Sequence, residues 1–348
     1  MTETIQIEPW QAAIFLINSI AALSLNSLMF YFVYRNRSLR TSFNFSLLNV
    51  CSADMLVSVN MMVSTIVSLT ENGNVAKVIF CNITGYITLL SFVASVMGLA
   101  AVSFNRYFLV CHWKTYRSIF TTIGTMAYIA GAWVFSILIS IPPLLQWGKF
   151  SYQPGKSICF VDWSSSISYM IFMISICFCG PLFITLLSLY FILRTKRKTD
   201  HRLYHKKSEE KNLNEFSQAK REQQRKQVAK EEKRITMSIV IITLVFLVAW
   251  GPFVILMFLE SIGKQSIPGW IDFLALLLGF LNSTANPIVY MTLNANYRKE
   301  VKRLLSPCCA QGTSEDSDVK TGVTLEGTPR LTPRLLNFKN IKEEENCV

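Results

Sequence analysis

Six polar side chains interrupt long apolar runs of the sequence: Asn26, Asp54, Ser95, Asn282, Ser283 and Asn286. A polar group in hydrocarbon is expensive, so each needs a partner and marks a candidate site. Asp54 is one carboxylate among neutral oxygens and amides, with no Lys or Arg nearby in the runs that carry them. Such a group asks for a cation or a proton. A sodium ion with waters would satisfy it, and so would protonation at rest. A third reading is a hydrogen-bond network that holds its segments together. None of these makes or breaks a covalent bond. The apolar runs hold no catalytic His, Cys or metal cluster, and the nine cysteines include no C-x-x-C pair, which leaves an enzyme or a zinc module without its residues.

The elements that must position these groups are seven apolar runs, at about 10–34, 42–69, 79–111, 122–145, 168–193, 235–261 and 269–292. Each reaches the roughly 20 helical residues that cross a hydrocarbon core. The composition agrees, with 51% hydrophobic and only 16% charged residues, against about a quarter charged in soluble domains. The expected fold is an all-α membrane protein, a seven-helix bundle followed by a short amphipathic helix over 294–305 at the cytoplasmic surface. In that helix Tyr297, Val301, Leu304 and Leu305 share one face. Lys and Arg crowd the linkers after spans one, three and five, fifteen of them between Arg194 and Arg234. That bias puts residues 1–9 outside and the tail, 306–348, inside as a disordered, phosphorylatable segment. It also assigns the net charge of +12 to the face that meets anionic lipid and acidic partners, not to nucleic acid. Met1 to Pro9 lacks a basic start, so the first span is expected to remain as an anchor.

Two spans carry bending devices. Pro287 frees a backbone carbonyl beside Asn286, and span six carries Phe246 and Trp250 just below Pro252, where a kinked helix with a bulky aromatic below the kink can act as a lever. Arg106 stands at the inner end of span three and Glu232 opens span six on the same side, so a pairing would lock the inner ends; the alternative for Glu232 is a solvated charge in "KEEKR". Cys81 and Cys159 are the two cysteines facing an oxidising compartment, and a disulfide between them is expected. Cys308 and Cys309 follow the basic amphipathic segment and suit S-palmitoylation, against the plainer reading of two idle thiols.

Together these residues resemble the rhodopsin-like (class A) G-protein-coupled receptors over about residues 10–305. The signatures are Asn26, Asp54, Cys81 with Arg106 twenty-five residues on, Trp133, Pro181, Trp250 with Pro252, and Asn286-Pro287-x-x-Tyr290. The resemblance implies a ligand or light sensor that does no bond chemistry. Outer events would swing span six outward and admit the C-terminal helix of a heterotrimeric G-protein α-subunit. It makes Arg106, flanked by Asn105 and Tyr107, the switch, with Glu232 as its restraint and Tyr290 as a later partner. Asp54, Ser95, Asn282 and Asn286 become a sodium pocket, and the tail would recruit arrestin after receptor kinases act. The chain departs from the pattern at Asn105, where an acid is usual and melatonin receptors are similar, and this implies raised basal signalling. It departs again at Leu189, where a tyrosine is expected and Tyr190 follows, at Ala249, and at Trp113.

By the same resemblance, the outer cavity is lined by Thr88, Leu89 and Phe92 of span three and by Met173 and Cys177 of span five. Phe253, Val254 and Met257 of span six, with Leu276 and Phe280 of span seven, complete it. Amine receptors carry an aspartate at the place of Thr88. Without it a buried ammonium lacks a charge partner, so the lining favours a neutral lipophilic or aromatic ligand, or constitutive activity. The loop "WGKFSYQPGKSICFVDW" looks like the opsin plug through Tyr152, Pro154, Gly155, Cys159, Asp162 and Trp163. Opsins hold retinal on a lysine at the position of Phe280, so a covalent retinal pigment is excluded here. A non-covalent retinoid receptor and a peptide receptor are the alternatives, and a seven-span transporter, which would want inverted repeats, is remote.

Overall fold

The structure, a computed structural model of the chain, describes residues 8–70, 78–209, 215–263 and 267–305. Seven helices are long and apolar enough to cross a membrane: Pro9–Arg35, Ser42–Leu69, Val78–Cys111, Thr122–Leu145, Ile167–Arg197, Thr236–Ile262 and Gly269–Leu293. They are spans one to seven below. Apolar side chains on their backs, such as Ile17, Phe183 and Val248, are exposed, as lipid-facing positions require. Span six belongs to a longer helix, Glu215–Gly263, rich in good helix formers over its first turns.

Local sequence sets the ends and irregularities. Pro9 stands at the first turn of span one, where its missing N–H costs nothing. Thr121 caps span four by accepting from the Gly124 N–H. Span five contains one π-helical turn, Ile174–Cys179, closed by the Gly180 N–H on the Ser175 carbonyl. Pro181 has no N–H to give the carbonyl four residues back, and a widened turn is a usual answer.

Between spans four and five the chain folds into a hairpin, β1 (Phe150–Gln153) and β2 (Ile158–Val161), antiparallel with Tyr152 opposite Cys159. Cys159 is disulfide-bonded to Cys81 at the start of span three. A buried cluster runs from the hairpin through Leu89, Val93 and Phe280 to Trp250. The chain divides into two compact units, residues 1–298 and 299–348. In the first, Asn294 caps the helix Ala295–Leu305 through the Asn296 N–H, and Tyr297 is buried with its ring 6.4 Å from that of Phe32. In the second, Glu300 and Arg303 pair at 2.9 Å. The Glu232 side chain, Cys308, Cys309 and the tail lie outside the described residues.

Candidate functional site

The in-span polar groups converge. Asp54, 1% exposed, accepts three hydrogen bonds from two other spans: Ser95 Oγ at 2.8 Å, Ser283 Oγ at 3.0 Å and Asn286 Nδ2 at 3.1 Å. Asn26 joins from span one by donating to the Ser283 carbonyl at 3.1 Å. Span seven can offer Asn286 and Ser283 to one carboxylate because three residues make nearly one helical turn. The Oδ1 atoms of Asn26, Asn282 and Asn286 are buried without a donor. Hard oxygens of this kind are what a sodium ion or its waters take up, so the residues fit the ion that the sequence suggested.

A second polar layer joins spans two and three. Asn60 of span two donates to Thr88 Oγ1 at 2.7 Å and to the Thr84 carbonyl at 2.9 Å. The Thr88 hydroxyl is thereby engaged by span two. Trp133 donates to Asn49 at 2.8 Å, joining spans four and two. Both asparagines are polar residues in a span, so the signal that revealed Asp54 was present for them too.

At the inner end Asn105 is fully buried and donates to Ser42 Oγ at 3.2 Å, and Ser42 meets Thr125 at 2.7 Å. Ser46 and Tyr128 are hydrogen-bonded alongside. Arg106 lies with its guanidinium carbon 3.6 Å from the centroid of the Phe43 ring, and Phe43 meets the buried Tyr290 edge-on at 6.5 Å. Tyr107 bonds His112 at 3.0 Å. Leu189 is buried while Tyr190 is exposed, so the tyrosine that follows the expected place in span five faces away from the core.

Trp250 is the centre of the bundle's aromatic stack. Its ring lies 4.4 Å from Phe92, 5.8 Å from Phe253 and 6.4 Å from Phe280. Gly279 makes room for it: a Cβ there would stand 2.8–2.9 Å from three carbons of the indole. Replacing Gly279 by alanine should therefore displace Trp250 and cost about 1–3 kcal/mol by overpacking. A thermal melt of the purified receptor would read this as a fall of several degrees, and an unchanged melt would mean that the indole has free room. Below Trp250, Phe246 packs on Phe178 at 5.7 Å and lines a small cleft between spans three, five, six and seven.

Leu89, Met173, Cys177, Phe253, Met257, Leu276 and Phe280 fall in one buried cluster, with Phe92 and Val254 packed on its edge. The hairpin enters the same cluster through Phe150, Ile158, Phe160 and Val161, and Phe160 meets Phe253 at 6.0 Å. Burial pushes the Tyr152 hydroxyl of this hairpin up to about 12, against a hydrogen bond from Ser157 that lowers it.

Seven spanning helices around a polar centre, a disulfide-anchored outer hairpin and an arginine at the inner end of span three define a membrane receptor of the seven-helix class. The chain belongs to the 7 transmembrane receptors of the rhodopsin family, whose model matches residues 25–290. It is thus a multi-pass membrane protein of a family of G-protein-coupled receptors, not an enzyme. Among curated relatives, chicken melatonin receptor type 1C is 26% identical over 298 residues, 84% of this chain and 81% of the relative. Chicken melatonin receptor type 1A is 24% identical over 96% of this chain and 92% of its own. The crystal structure of squid rhodopsin superposes with a TM-score of 0.73 at 18% identity, covering 87% of this chain and 89% of that one, and shares the fold.

Proposed function

We propose that the protein transduces an extracellular signal, carried by a neutral lipophilic or aromatic small molecule or sustained without one, to heterotrimeric G proteins. Residues 1–9 are outside and the tail inside. Span six bends at Pro252 just above Trp250, Arg106 and Tyr290 form the switch at the opened inner face, and the Asp54 layer holds a sodium ion in the closed form. The observation that supports the ligand class is the packed, uncharged aromatic cluster of Phe92, Trp250, Phe253 and Phe280, with Thr88 where an amine receptor would need a carboxylate. The relatives named above are named for melatonin, itself a neutral indole, which suits the same reading.

The test is ligand-free nucleotide exchange on purified α-subunits of each G-protein family, comparing the wild type with Arg106→Ala. The variant should lose at least about tenfold of the exchange rate, as removing a contact used only in the activated complex does. Absence of exchange with every α-subunit, before and after adding melatonin, retinoids and neutral lipids, would refute this reading.

A further inference from the structure

The tip of the outer hairpin carries a lysine that solvent does not reach. Lys156 is 3% exposed, although it sits in a loop. Its ammonium lies 2.9 Å from Asp272 Oδ2 in the first turn of span seven. Glu260, near the outer end of span six, accepts from the same ammonium at 3.3 and 3.4 Å. The face of Phe253 completes the surroundings, with its centroid 5.9 Å from the nitrogen. The approach depends on Gly155, where a Cβ would stand 3.0 Å from Asp272 Oδ2 and 3.3 Å from the Gly269 Cα. Ser157, next along and at φ 55°, donates to Gln11 of span one at 2.8 Å. One short turn therefore touches spans one, six and seven.

Two carboxylates face one ammonium, so the cluster keeps spare negative charge. Asp272, only 7% exposed, has its Oδ1 buried without a donor. That unfilled acceptor, one buried and one half-buried carboxylate, and an aromatic face together suit an organic cation. Among the described residues no group of three His, Cys, Asp or Glu side chains could hold a metal ion.

We propose that Glu260, Asp272 and the face of Phe253 form an ammonium-binding site in the outer mouth, and that Lys156 is its tethered ligand, drawing the outer ends of spans six and seven together and so sustaining ligand-free signalling. The direction follows from the hinge. Pro252 lies inside the helix between Glu260 and its inner end, where it removes a backbone hydrogen bond, and a rigid outer segment tipped inward about that point swings the inner segment outward. The signalling half of this proposal rests on the receptor reading above; the ammonium site does not.

Lys156→Ala deletes the equivalent of one propylammonium ion, and n-propylammonium is the probe. In receptor reconstituted in lipid discs, the variant should lose about fivefold of its ligand-free exchange, the low end of ordinary coupling between sites, and should melt at a lower temperature. Millimolar n-propylammonium should restore both, 1-propanol should restore neither, and Lys156→Ala with Asp272→Asn should not respond. The melt uses no G protein, so a wild type inert toward every α-subunit would overturn the receptor reading while the ammonium site stood or fell on the melt alone. No rescue of the melt overturns the site, and wild-type exchange in Lys156→Ala overturns the tether. Should that variant fail to fold, Glu260→Gln keeps the Lys156–Asp272 pair. Its exchange should still fall severalfold, and an unchanged rate would overturn the tether equally.

Discussion

Asp54→Ala should destabilise the receptor by about 3–5 kcal/mol, the cost of removing one partner from a buried charged network. Three donors, Ser95, Ser283 and Asn286, meet on this one carboxylate. Each left buried without an acceptor costs roughly 1–3 kcal/mol, less whatever the helices recover by relaxing. A methyl group also leaves a void where spans two, three and seven meet. Asp54→Asn should cost less, because its amide can still accept from the hydroxyls while its own NH2 opposes that of Asn286. The measurement is a thermal melt taken in sodium chloride and again in choline chloride. If the buried amide oxygens and Asp54 hold sodium, the wild type melts higher in sodium and Asp54→Ala is indifferent to the salt. If the wild type ignores sodium but the variant still melts early, the group is a hydrogen-bond network alone. An unchanged melt in the variant would mean that neither holds.

The seven spans and this polar centre were legible for one reason: lipid offers no partner to a polar group. Run length then fixes a helix, and a lone carboxylate must find neutral donors wherever the helices meet. The Cys81–Cys159 bond was legible because compartment left few alternatives. Other features depend on facts that no local pattern encodes. A lysine in a loop is solvated by default, and Lys156 is buried only because a glycine turn brings it onto two acids from helices more than a hundred residues away. The Thr88 hydroxyl meets Asn60 through the rotation of span three against span two, a contact that no change of sequence period marks. Phe43 shows the same limit. A phenylalanine in an apolar run reads alike whether it faces lipid, core or a guanidinium.

Phe43→Leu should raise ligand-free exchange roughly tenfold, on the proposed role of Arg106 as the switch. Asn105 stands in place of the usual acid, and in addition to the proposed Glu232 restraint the Phe43 face lies 3.6 Å from the Arg106 guanidinium carbon. A cation–π contact is worth from about 1 kcal/mol when exposed to about 2 when desolvated, a range that brackets the roughly 1.4 kcal/mol of a tenfold change in an equilibrium. Arg106 must leave that face to reach a partner in the opened inner cavity, so the contact stabilises the closed form selectively. Leucine keeps much of the apolar volume and removes the ring quadrupole, whereas Phe43→Trp strengthens it and should lower exchange below the wild type. That opposite pair of signs separates a cation–π restraint from simple packing, since a misfit at Phe43 would push both variants the same way. Asn105→Asp supplies the control. Its side chain can no longer donate to Ser42 Oγ, but that hydroxyl can turn and donate instead, so the fold should tolerate the change. The added charge beside Arg106 should lower exchange and blunt the effect of Phe43→Leu in the double variant. Equal exchange in wild type and Phe43→Leu would mean that the ring lies under the switch without restraining it.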